Sequence, residues 1–167
     1  LPPTLESLDV GGTDCGDDGL EALAAALPAL SQLRRLHCRR NPEGGERGWG
    51  ALVNALPFLP ALEEFNARGS PLGSQAAAAL VTVVPQCPQL QSLDITVTEE
   101  VWKKTCQGAV DRGQSDRGLH ALRAWSASHR PNMQTEVRCA WNSRDLADLD
   151  VALVWCGQPS GGEDVIV

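Results

Sequence analysis

Leu5-Glu6-Ser7-Leu8-Asp9-Val10 is written four times along this chain of 167 residues. It returns as Leu33-Arg34-Arg35-Leu36-His37-Cys38, as Leu62-Glu63-Glu64-Phe65-Asn66-Ala67 and as Leu90-Gln91-Ser92-Leu93-Asp94-Ile95, with first leucines 28, 29 and 28 residues apart. Apolar side chains at places one, four and six leave places two, three and five polar. In an extended chain, alternate residues face opposite sides, so this spacing predicts a strand with one apolar and one polar face. Self-similarity at such a period predicts a stack of like units, each burying its apolar side against its neighbours.

Working outward from each strand, a turn-rich run precedes a helical pattern. In the first unit, Gly11–Gly19 is rich in glycine and aspartate, and Leu20, Leu23 and Leu27 follow at helical spacing. Asp17 and Asp18 lie where carboxylates favour a helix N-terminus. In the second, Pro42–Gly48 is the turn and Trp49–Leu56 the helix, with Leu52, Val53 and Leu56 inward and Trp49 partly exposed at the helix start. In the third, Gly69–Leu72 turns, and Ser74 is the expected N-cap of a helix over Gln75–Val84. Pro28, Pro57 and Pro85 stand where the helices should end.

These features together resemble the ribonuclease-inhibitor type of leucine-rich repeat. The resemblance is carried by the four L-x-x-L-x-L stretches, by Asn41 at the Asn-type place (Thr13, Ser70 and Thr98 in the other units), and by Gly16–Leu27 as the helical half. It implies an α/β right-handed solenoid, a horseshoe segment with a concave parallel sheet and outer helices. It also implies a protein-binding scaffold that uses no cofactor.

Regular repeats cover residues 1–98. Residues 99–115 read as an insertion, with Trp102 as an anchor. Residues 116–156 read as degenerate terminal repeats, with Val137 at place four of a fifth unit, and 157–167 as a flexible tail. The chain opens Leu-Pro-Pro without an initiator Met or a signal-peptide pattern, and residues upstream of Leu1 are expected.

A net charge of −7 argues against nucleic-acid binding, which needs a basic surface. No apolar run reaches the ~18–20 residues of a membrane span. Six cysteines without a C-x-x-C pair or a histidine cluster give no zinc pattern and fit a reduced, cytoplasmic protein. A Cys15–Cys38 disulfide is the alternative in an oxidising compartment.

The outward places collect Glu6, Ser7, Asp9 and Gly11; Arg34, Arg35, His37 and Arg39; Glu63, Glu64, Asn66 and Arg68; then Gln91, Ser92, Asp94 and Thr96. Lateral ion pairing would merely solvate such a face. Arg34, Arg35, Arg39 and Arg40 could equally dock an acidic partner. We take Arg34, Arg35, His37, Arg39, Glu63, Glu64 and Asn66 as the expected contact set, with Trp102 and the C-terminal Val167 as secondary candidates, the latter through strand addition. Asp9 beside His37 is the nearest approach to a general base. No nucleophile, P-loop lysine or H-E-x-x-H accompanies it, so no enzymatic role is expected. The alternatives to a protein-binding scaffold are a structural subunit of a large assembly or, by fold analogy alone, a regulator of a small GTPase.

Overall fold

The structure, a computed structural model, describes residues 1–98 and 128–140. Eight elements are built from the repeats: β1 (Ser7–Asp9), α1 (Asp17–Ala26), β2 (Arg35–His37), α2 (Glu46–Ala55), β3 (Glu64–Leu72), α3 (Ser74–Val83), β4 (Ser92–Thr98) and β5 (Gln134–Ala140). The strands form one parallel sheet in chain order, β1-β2-β3-β4-β5. Equivalent places align across it, so that Leu8, Leu36, Phe65 and Leu93 make one row and Asp9, His37, Asn66 and Asp94 the next. The fold is thus α/β, with three helices and a five-stranded parallel sheet among the described residues. No helix among them is long and apolar enough to cross a membrane.

Each helix tightens into a 3-10 turn carrying the predicted proline, at Leu27–Ala29, Leu56–Phe58 and Val84–Gln86. Proline is tolerated there because the first turn leaves its N–H unused. Two short backbone bonds then hand the chain on to the next strand. Leu30 donates to Leu27 and Leu33 to Leu30, and the pattern recurs at Leu59 and Leu62 and at Cys87 and Leu90. The side chains at these hand-over points are buried.

The apolar row packs with the helices into one core that includes Leu20, Leu36, Trp49, Leu52, Phe65, Leu80 and Leu93. Ala76 and Ala77 are buried on α3, as its small side chains allow. Cys15, Cys38 and Cys87 are free thiols, so the Cys15–Cys38 disulfide is not made. Burial pushes the Cys38 thiol up to about 12 and the Cys87 thiol to about 11. Both therefore act as small hydrophobes.

Four sequence expectations change. Trp49, expected to be partly exposed, is fully buried within α2, which begins three residues earlier than the apolar spacing marked. Ser74 is the first helical residue of α3, not its cap. Gly69–Leu72, expected as a turn, is the second half of β3. Register with β4 jumps from Ala67↔Ile95 to Pro71↔Thr96, so Arg68, Gly69 and Ser70 bulge out of the ladder. Finally, Val137 pairs with Ile95 and Thr135 with Leu93, which puts Val137 at place six. Segments 99–115 and 157–167, with Trp102 and Val167, lie outside the described residues.

Candidate interaction face of the sheet

Two sets of long-range polar bonds fix the sheet before its exposed face is considered. The first is a ladder at the strand ends. Asn41, fully buried, donates through Nδ2 to the Val10 and Cys38 carbonyls at 2.9 and 3.1 Å and accepts the Cys15 N–H at 3.1 Å. Ser70 Oγ accepts the Asn41 N–H and donates to the Cys38 carbonyl. One strand further, Thr96 accepts the Gly69 N–H at 2.8 Å. The bulge in β3 brings Thr96 into this ladder. Thr96 is accordingly 2% exposed and is not one of the outward residues.

The second set joins the helix starts. Asp17 Oδ1, at the head of α1, accepts the Gly45 and Gly48 N–H groups at the head of α2, both at 2.8 Å. Glu46, at the head of α2, accepts the Ser74 and Gln75 N–H groups of α3 at 2.7 and 3.1 Å. Each acid therefore satisfies orphan donors of the next helix, a capping job done from one unit away. No local capping pattern could have disclosed it.

Asp17 also gives a pH dependence. The Gly48 N–H, then the Gly45 N–H and the nearby Arg47, hold its carboxyl below the usual range, against a desolvation effect that raises it. Asp9 is lowered too, first by the Gly11 N–H and then by Arg39 and His37. A carboxyl whose folded pKa lies below its unfolded value of about 3.9 adds stability that is complete above that value. That stability is lost as pH falls through it toward the folded value. The thermal midpoint should therefore decline below about pH 4. In Asp17→Asn the decline should be shallower, because Asn keeps Oδ1 for both amides and cannot titrate. Circular dichroism melts at pH 5, 4 and 3 check this, and identical slopes for both proteins would refute it.

Outward from the core, the burial alternates along β1, β2, the first half of β3 and Ser92–Ile95 of β4. Leu36, Phe65, Ala67, Leu93 and Ile95 are buried, while the residues between them are half-buried or exposed. The expected contact residues come together on this polar face. Arg34 pairs with Glu63 across β2 and β3, and Arg39 pairs with Asp9 at 2.9 Å across β2 and β1. His37 lies half-buried between two acids. Its Nε2 is 3.0 Å from Glu64 Oε1, near enough for a charge contact but out of line for a hydrogen bond. Its Nδ1 is 4.0 Å from Asp9 Oδ2. Asn66 accepts the Arg68 N–H at 3.0 Å, as Asp9 accepts that of Gly11 at 2.8 Å. Arg35 is exposed and makes no ion pair among the described residues.

Chemically, this face is an ordered array of donors and charges. Both ring nitrogens of His37 are turned toward carboxylates, and the neighbouring Cys38 is buried on the opposite side, so the two do not form a dyad. Among the described residues, no group of three or more His, Cys, Asp or Glu could hold a metal ion. No protein-family model and no curated protein matches the chain.

Proposed function

We propose that the chain is a leucine-rich-repeat solenoid of the ribonuclease-inhibitor type, acting in the cytoplasm as a non-catalytic scaffold. It binds a protein partner through the concave face of its sheet and uses no cofactor. One observation carries the proposal: among the described residues, a parallel sheet has one apolar face packed on helices and one polar face that is half-buried or exposed. Parallel sheets are ordinarily covered on both sides and read as unbroken apolar runs. Here the second face alternates polar and charged residues, and the ladders behind it hold the backbone in place.

Such a surface is arranged before a partner arrives. Arg34, His37 and Arg39 are each already held against a carboxylate of a neighbouring strand, so docking loses little to side-chain ordering. Arg34, Arg35, His37, Arg39, Glu63, Glu64 and Asn66 are the contact set. The test is capture of partners from a native extract by the wild type and by the double variant Arg34→Glu, Arg35→Glu. The variant should retain its circular dichroism spectrum and capture at least about tenfold less, the loss expected when charged contacts are reversed. Undiminished capture would remove the face from consideration.

A further inference from the structure

We infer that Arg35 and Arg40 are the anion-recognising pair of this face and fit an acidic protein segment lying along β2, an inference that rests on the docking role proposed above. Four arginines crowd this strand, at 34, 35, 39 and 40. Two of them are already neutralised, Arg34 by Glu63 and Arg39 by Asp9. Arg35 and Arg40 are exposed, and neither makes an ion pair among the described residues. Glu64, the register partner of Arg35, has its carboxylate at His37.

Arg40 supplies an independent observation. Its φ is +55°, in the left-handed region, at the place where the flanking units have Gly12 at +64° and Gly69 at +71°. Any side chain with a Cβ costs free energy there, a cost that glycine avoids in the flanking units. A guanidinium is thus held at the end of β2 against the preference of the backbone. In a chain of net charge −7, two unmatched cations, one on β2 and one three residues beyond its end, mark where negative charge is missing. The planar guanidinium takes a carboxylate through two parallel N–H donors. Five residues of extended chain separate the two arginines by about 16 Å, so the matching acids lie at similar spacing on an extended partner.

The test is selection of a phage-displayed peptide library on the immobilised full chain, followed by fluorescence anisotropy of the leading synthetic peptide. The pool should be enriched in Glu and Asp, and the peptide should bind at least about tenfold more weakly to Arg35→Gln and to Arg40→Gly, with binding that fades as salt rises. Arg40→Gly suits the backbone, so its thermal midpoint should not fall, and weaker binding cannot come from unfolding. An acidic pool indifferent to both substitutions would overturn the assignment. A pool without acidic enrichment that is still lost in Asn66→Arg would overturn the acidic partner and leave the docking face standing. A pool indifferent to all three substitutions would overturn both.

Discussion

Asn41→Ala is expected to destabilise the protein by roughly 3–5 kcal/mol, since one N–H left without a partner costs about 1–3 kcal/mol and two further hydrogen bonds are lost at about 1 kcal/mol each. Asn41 is fully buried and its amide serves three backbone groups: the Val10 carbonyl on one side, the Cys38 carbonyl behind it, and the Cys15 N–H. Alanine leaves the Cys15 N–H without its acceptor, while the Val10 and Cys38 carbonyls each lose one donor and keep the Thr13 and Ser70 hydroxyls. Asn41→Asp should fare no better. It keeps an acceptor for Cys15, but it sets a carboxylate against two carbonyls and buries its charge. Urea unfolding followed by circular dichroism reads the loss directly. A cost below about 1 kcal/mol, the net worth of one ordinary hydrogen bond, would mean that the strand-end ladder is not what fixes the sheet.

Trp49→Ala is the second large effect, expected at about 3–5 kcal/mol, the range for emptying a buried aromatic site. Trp49 has no exposed surface, and the buried Gly44 makes room for its indole. A Cβ at Gly44 would strike Trp49 Nε1 and lie 2.6 Å from Leu20 Cδ1, while one at Gly48 would lie 2.8 Å from the Asp17 backbone. The close approach of α1 and α2 therefore depends on these small residues. Trp49 Nε1 is buried without an acceptor among the described residues. Trp49→Phe removes that orphan donor and keeps most of the packing, so it should cost less than half as much as Trp49→Ala. Equal costs for the two variants would show that the indole nitrogen, and not the ring's bulk, matters at this site.

The strands, their order and the apolar row were readable because each depends on a short periodic pattern that the chain repeats. Leu36, Phe65 and Leu93 needed only their spacing. Trp49 was misread because a tryptophan at a helix start beside glycines looks like a surface residue. The glycines mean close packing, and only the packed neighbours reveal that. The caps from Asp17 and Glu46 reach 28 to 31 residues along the sequence, beyond any local capping pattern. Strict alternation along β4 puts Thr96 on the outward face, whereas it is buried. Three residues bulge from β3 there, and a bulge resets the register of everything after it.

The contact face was legible as a set of residues and much less so as a set of charges. Placing Arg34 between acids followed from register, and Glu63 is its partner. The division between matched arginines and the unmatched Arg35 and Arg40 needed side-chain positions. So did the left-handed backbone at Arg40, since arginine gives no sequence sign of a positive φ.

Site-directed photocrosslinking in a native extract tests the central claim most directly. A benzophenone amino acid would be placed at Ser7 or Ser92 on the polar face of the sheet, and at Ala25 or Ala78 on exposed positions of α1 and α3. A protein-binding sheet face predicts that Ser7 and Ser92 give the same dominant adduct, and that the helix positions do not. An adduct formed from Ala25 and Ala78 but not from Ser7 and Ser92 would place binding on the helical side and contradict it.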